Sequence, residues 1–194
     1  MREKLLNLYK KCGAIREGHF ELASGLHSPL YMQSALVLQY PKYAEMLGKL
    51  IAEKIRNYAI ETIVSPAIGG LFIGYETARA LPARMIFVER KSGELSLRRG
   101  FEINHDRCAV IEDVVTTGGS LIKTIDIVKS LGAEVVAAGA LVDRGSGLEK
   151  KIDVPYFPLL EIEVQSYRKS ECPMCKEGIA IEKPGSQKIK KAES

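Results

Sequence analysis

The sequence predicts an α/β protein: a central parallel sheet flanked by helices. Two observations carry this. Short apolar stretches at Thr62–Val64, Met85–Val88, Ala109–Ile111 and Val135–Val142 alternate with helical patterns at Pro41–Tyr58, Leu71–Ala80 and Ser120–Leu131. Strands that are apolar throughout belong to a sheet covered on both faces, and strand–helix alternation is how a chain builds one. The turns SPAIGG and TTGGS follow two of these strands, and in open α/β sheets ligands bind beyond the carboxyl ends of the strands.

Taken in order, residues 4–17 read as a helix with Leu5, Leu8, Tyr9, Cys12 and Ile15 on one face. Phe20 to Val37 holds the turn residues Ser24-Gly25 and Ser28-Pro29 and then a strand-like Leu30-Tyr31-Met32. Pro41 opens the next helix, whose apolar stripe is Tyr43, Leu47, Leu50, Ile51 and Ile55. Glu89–Gly100 reads as a charged loop. In the helix from Ser120, Leu121, Ile125 and Val128 face inward and Gly132 closes it. Three parts result: residues 1–40 as an N-terminal helix and covering segment, 41–165 as the α/β core, and 166–194 as a tail. The tail is rich in Lys, Glu, Ser, Gly and Pro, a composition expected to be poorly ordered or peripheral.

Of 194 residues, 46% are hydrophobic and 27% charged, enough for an ordinary core. No apolar run reaches membrane-spanning length. MREKLLNLYKKCG reads as an amphipathic helix, not a secretory signal, so a cytoplasmic protein is expected. The net charge is +4, and residues 166–194 supply +3 of it through seven basic and four acidic side chains. The core is therefore near neutral, and a nucleic-acid face is not indicated. Cys12 and Cys108 are isolated; Cys108 opens an apolar strand, where a reduced, buried thiol is expected. Cys172 and Cys175 form one CxxC. A zinc site needs more ligands, and His19, His27 and His105 all lie far upstream. Zinc would require, for example, a site shared between subunits, and no metal ligand is assigned to the protein.

The stretch VIEDVVTTGGSL, Val110 to Leu121, carries the chemistry. Glycines let the backbone approach a ligand, and the free N–H groups of a helix's first turn attract an anion. Thr116, Thr117 and Ser120 add hydroxyl donors around Gly118 and Gly119. The string is neither GxxxxGK[ST] nor GxGxxG. Its distinguishing feature is the acid pair Glu112 and Asp113, which would repel a phosphate unless a group stands between them. A ribose does so: its vicinal hydroxyls donate to the acids while its 5′-phosphate reaches the turn. The bland reading is a strand end whose acids cap the next helix, and it accounts for only part of the string.

VIEDVVTTGGS resembles the 5-phosphoribosyl-1-pyrophosphate (PRPP) motif of type I phosphoribosyltransferases. FELASGLHSPLYMQ (Phe20–Gln33) resembles the segment with which orotate phosphoribosyltransferases cover the base. LVDRGSG (Leu141–Gly147) resembles their strand ending in Asp-Arg, and FVERKSGELSLRRGF (Phe87–Phe101) lies where they carry a mobile catalytic loop. The resemblance spans roughly residues 15–147. It implies the type I phosphoribosyltransferase fold with a small N-terminal hood over the base site, and transfer of phosphoribosyl from PRPP to orotate in pyrimidine biosynthesis. It also implies roles. Arg90, Lys91, Glu112, Asp113, Val114, Val115, Thr116, Thr117, Gly118, Gly119 and Ser120 would bind PRPP, with Glu112, Asp113 and Lys91 catalytic. Thr116, Arg144, Ser24 and Gly25 would bind orotate, and Gly69 and Gly70 would form the pyrophosphate loop. Mg²⁺ would enter with PRPP, and a homodimer would place each mobile loop in the neighbouring site. Ala23 stands where many members have a lysine, and SGELSLRRG lacks their Lys-x-His-Gly; Arg98 and Arg99 are candidates for the missing charge.

The residues agree with this. Orotate carries a carboxylate, which arginine binds through two parallel hydrogen bonds, and Arg144 sits one strand from the phosphate turn. Its bland reading is a surface arginine paired with Asp143. A purine phosphoribosyltransferase would not need that arginine. A PRPP-sensing regulator would need a basic face or an added helix-turn-helix.

Overall fold

The computed structural model describes residues 1–22 and 24–184. In chain order the elements are α1 (Arg2–Lys11), β1 (Ile15–Glu21), β2 (His27–Met32), α2 (Ala35–Leu38), α3 (Pro41–Ile55), β3 (Thr62–Pro66), α4 (Gly70–Arg79), β4 (Arg84–Lys91), β5 (Glu94–Leu97), β6 (Arg107–Val115), α5 (Gly119–Ser130), β7 (Glu134–Asp143), β8 (Tyr156–Glu161) and α6 (Pro173–Lys176). Six strands form one sheet in the order β5-β4-β3-β6-β7-β8, parallel except for the β4–β5 hairpin. The other two, β1 and β2, pair antiparallel as a separate ribbon, the hood.

Strand character follows burial. All five residues of β3 are buried, and β7 is buried from Val135 to Asp143. The sheet's two faces support two cores. One joins Leu5 and Tyr9 of α1 to Leu47, Ile51 and Ile55 of α3, Ile73 of α4 and Ile111 of β6. The other joins Leu121, Ile125 and Val128 of α5 to Val64, Ile86 and Val110. Helices α3 and α4 cross so closely that a Cβ on Gly48 would lie 2.6 Å from the backbone of Glu76. From β3 the chain steps outward to β4 and then returns to place β6 on the other side of β3. The strand order therefore reverses between β3 and β6. At such a reversal the connections leave in opposite directions and open a crevice at the carboxyl ends. The turns SPAIGG and TTGGS border it.

Four features differ from the sequence expectation. The helix expected over residues 4–17 stops at Lys11, because Gly13 turns the chain with φ +64° and the Ala14 amide bonds back to the Tyr9 carbonyl. Ile15 onward is strand. The charged loop expected at residues 89–100 is largely a hairpin, with Glu89↔Ser96 and Lys91↔Glu94 paired. Strand β8 was not expected; Pro158 disguises it, and an edge strand tolerates proline. The tail is not peripheral as far as residue 184: His27 and Tyr167 exchange both backbone hydrogen bonds, and the Glu21 amide donates to the Glu182 carbonyl. Its backbone extends the hood ribbon on both sides, which satisfies edges that composition does not reveal. Residues 185–194 lie outside the described residues. Cys108 is a free, buried thiol, as expected, and burial pushes its pKa up to about 12. Among the described residues no helix is long and apolar enough to cross a membrane.

Candidate active site

Strand β6 carries Glu112 and Asp113 into the crevice, and they serve its two sides. Glu112 is buried and lines a small concavity with Thr116, Thr117, Gly118, Gly119 and Ser120. That concavity holds about 70 Å³, closer to one phosphate group than to a whole nucleotide. Gly118 turns into α5 with φ +85°, and a Cβ there would also strike Leu148 Cδ1 at 2.6 Å. The residue must therefore be glycine. The first amides of the twelve-residue α5 then face the cradle, where its dipole favours an anion. Lys151 donates to the Thr117 and Ser146 carbonyls and braces this loop from outside.

Asp113 faces the SPAIGG turn. A Cβ on Gly69 would lie 2.5 Å from Asp113 Oδ1, and one on Gly70 would lie 3.1 Å from the Ile111 carbonyl. Glycine at 69 lets the loop approach the Asp113 carboxylate, and glycine at 70 lets it approach the backbone of β6. Burial pushes both carboxyls above the ordinary range. Glu112 moves well above it, helped by the negative charge of Asp113 alongside.

Arg144 follows β7 directly, and its amide donates to the Val115 carbonyl of β6. It is only 8% exposed. Its Nη2 donates to Ser28 Oγ at 2.8 Å and to the Leu30 carbonyl at 2.9 Å, so it joins the core to hood strand β2. The reading of a surface arginine paired with Asp143 fails: Asp143 instead accepts from the Ser146 amide and hydroxyl, at 2.7 and 2.6 Å. Among the described residues no carboxylate pairs with Arg144, and its buried Nε has no partner. Burial depresses its pKa. Tyr31 completes the surroundings; burial raises its pKa, and it feels both Asp113 and Arg144.

The structure thus gathers Glu112, Asp113, Val114, Val115, Thr116–Ser120, Gly69 and Gly70 in one crevice, with Arg144 at its hood side. Ser24 and Gly25 sit at the exposed tip of the hood hairpin, away from the bonds of Arg144. Arg90 and Lys91 are exposed at the end of the β4–β5 hairpin, where Arg90 Nη1 donates to the Gly93 carbonyl. Arg98 and Arg99 are engaged by Glu89, with Arg99 bidentate at 2.8 and 2.9 Å. Sequence reasoning missed Ser28, the Leu30 carbonyl, Tyr31 and Lys151. Only the covering segment HSPLYM hinted at the first three.

Comparison with known proteins follows this geometry. The chain matches the phosphoribosyl transferase domain family over residues 35–168. It belongs to the phosphoribosyltransferase family. Relatives within that family include orotate phosphoribosyltransferases. The one from Caldanaerobacter subterraneus subsp. tengcongensis is 47% identical over 191 residues, covering 97% of this chain and 99% of that protein. The one from Carboxydothermus hydrogenoformans is 48% identical over 189 residues, covering 95% and 97%. The crystal structure of orotate phosphoribosyltransferase from Aeropyrum pernix matches with a TM-score of 0.70 at 27% identity, over 81% of this chain and 93% of that one.

The acid pair yields a signed pH prediction. Because the folded-state pKa of Glu112 is raised, the wild-type fold is favoured while Glu112 is protonated. Above its unfolded value of about 4.3 the unfolded chain ionises first, and stability falls as pH rises. Glu112→Gln removes that loss. Without ligands, the variant should match wild type in thermal unfolding near pH 4 and melt higher at pH 8, by roughly 3 °C per kcal/mol recovered. A pH-independent difference would show that Glu112 is not the titrating group.

Proposed function

We propose that this chain transfers the 5-phosphoribosyl group of PRPP to orotate, giving orotidine 5′-monophosphate and pyrophosphate. One observation supports the choice of base above others: a buried arginine beside the phosphoribosyl site with no carboxylate of its own among the described residues. Leaving a charge buried and unpaired costs several kcal/mol. A ligand carboxylate offsets that through charge-assisted hydrogen bonds of about 1.5–3 kcal/mol. Orotate brings one; a purine base does not. The adenine phosphoribosyltransferase of Thermoanaerobacter pseudethanolicus shares the fold, at a TM-score of 0.61 and 16% identity, which says nothing about the base.

Each group then has a task. The amides and hydroxyls of Thr116–Ser120 hold the 5′-phosphate. Glu112 and Asp113 accept the ribose hydroxyls and stabilise positive charge as the anomeric carbon separates from pyrophosphate. Arg144 seats the orotate carboxylate, with Thr116 and the hood tip at Ser24 and Gly25 closing around the base. The orotate nitrogen forms the new bond to the anomeric carbon while the bond to the pyrophosphate oxygen breaks. Positioning and charge stabilisation suffice, and no covalent nucleophile is needed. Gly69 and Gly70 present backbone to the pyrophosphate, whose charge Arg90 and Lys91 offset. An all-oxygen donor set of carboxylates beside substrate phosphates suits Mg²⁺, which, when bound with PRPP, supplies further neutralisation of the leaving group. These charged substrates fit a cytoplasmic enzyme.

A homodimer completes the reading. Ile68, Phe72 and Tyr75 are 78%, 61% and 61% exposed, and they share one face at the start of α4, continuous with the pyrophosphate turn. Phe72 and Tyr75 border an apolar groove with Leu38, Pro41, Leu71 and Phe87, a surface suited to a second copy. Arg90 and Lys91 make no hydrogen bond or ion pair to the acids of their own chain among the described residues, consistent with service in the partner's site.

Two experiments test this. With PRPP and Mg²⁺, ultraviolet absorbance should report consumption of orotate and not of uracil, adenine, hypoxanthine or xanthine. Asp113→Asn should lower kcat about 100-fold or more. Arg144→Ala should raise the KM for orotate about 10- to 100-fold, the equivalent of losing one charged hydrogen-bonded pair. Turnover of a purine instead would overturn the assignment of the base. For assembly, the double variant Phe72→Glu with Tyr75→Glu should run as a monomer in light scattering where wild type runs as a dimer. A variant that remains dimeric would move the interface elsewhere.

A further inference from the structure

Four metal-ligating side chains that phosphoribosyl transfer does not use meet behind the hood. His19 comes from β1, His27 from the start of β2, and Cys172 and Cys175 from the tail around α6. Their ligand atoms all lie within 4.8 Å of one another. His19 Nε2 stands 2.9 Å from His27 Nδ1, 3.6 Å from Cys172 Sγ and 3.7 Å from Cys175 Sγ; Cys175 Sγ is 3.3 Å from His27 Nδ1. Around a tetrahedral zinc ion, bond lengths of about 2.3 Å to sulfur and 2.0–2.1 Å to nitrogen put neighbouring N and S ligands about 3.5 Å apart. The three sulfur–nitrogen distances match that. His19, His27 and Cys172 are buried, and neither cysteine is in a disulfide.

The second ring nitrogen of His19 strengthens the case. Nδ1 lies 2.8 Å from the Ile179 carbonyl, which can only accept, so Nδ1 carries the proton and Nε2 turns its lone pair toward the cluster. A carbonyl that orients a histidine in this way is the usual outer support of a metal ligand. Charge also balances. Two thiolates and two neutral imidazoles offset a divalent cation, leaving a neutral complex that can be buried without penalty. A surface depression that includes Cys175 and Lys169 gives an ion a way in.

We propose that His19, His27, Cys172 and Cys175 form a structural Zn²⁺ site that ties the C-terminal tail to the hood. Nitrogen and sulfur donors at this spacing select zinc over magnesium or calcium. Four protein ligands leave no open position, so the ion holds structure and does no chemistry. Its purpose follows from placement. His27 immediately precedes Ser28, whose hydroxyl receives Arg144. The ion therefore fixes strand β2 where that arginine is seated. Only this last consequence rests on the proposed reaction.

The test measures metal first. The reduced full-length chain, stripped of metal, should take up one Zn²⁺ per chain in competition with a chromogenic chelator. With Co²⁺ it should show the intense visible bands of a tetrahedral site and a thiolate charge-transfer band. Zn²⁺ and not Mg²⁺ should raise its melting temperature. Cys175→Ser, at the less buried ligand, should lose about half of the charge-transfer intensity, one thiolate of two, and bind Zn²⁺ at least tenfold more weakly while keeping its far-ultraviolet circular dichroism. If the reduced wild-type chain takes up neither ion, or gives a Co²⁺ spectrum without thiolate bands, the proposal is wrong. These readouts need no substrate, so their failure leaves the orotate assignment standing, and the reverse holds too. If both proposals hold, stripping zinc raises the KM for orotate and leaves kcat nearly unchanged.

Discussion

Glu112 and Asp113 are held out of water beside a loop built to receive another anion, and the rest of the site is arranged around that conflict. A carboxylate and a bound phosphate repel each other unless a group stands between them. The phosphoribosyl group is such a spacer, with hydroxyls for the acids at one end and a phosphate for the cradle at the other. Burial, and then the negative charge of Asp113 alongside, raise the pKa of Glu112 even without a ligand. In the proposed reaction, ribose hydroxyls would give that pair hydrogen bonds. The strand reversal between β3 and β6 makes room for this, because the SPAIGG and TTGGS turns diverge there.

In the proposed reaction the hood supplies selectivity to an otherwise general sugar-phosphate site. Arg144 belongs to the core by its backbone and to the hood by its guanidinium. Any movement of β2 changes what that arginine presents. The tail, bonded to both hood strands, limits such movement.

The core was legible in the sequence because its signals are local. VIEDVVTTGGSL declares strand, acids, turn and helix within twelve residues, and the alternation of apolar strands with helices implies the parallel sheet. The same locality explains the failures. Ile15 looked helical because it continues the apolar stripe of α1, while Gly13 alone marks the break. Arg144 looked able to pair with Asp143, its neighbour in sequence; burial against Ser28, more than a hundred residues away, decided otherwise. His19 and His27 lie about 150 residues from Cys172 and Cys175 in the sequence, yet folding brings them together. Contacts across such separations leave no periodic trace in a single sequence.

Among the described residues the Arg144 guanidinium has no carboxylate partner, and in the proposed reaction orotate brings one. A crystal structure of the chain with orotate and PRPP would test it most directly. The account predicts the orotate carboxylate within hydrogen-bond distance of the Arg144 guanidinium, including Nε, with the ribose hydroxyls on Glu112 and Asp113. A carboxylate bound elsewhere, with Arg144 still bonded only to Ser28 and Leu30, would contradict it and make the arginine a hood strut.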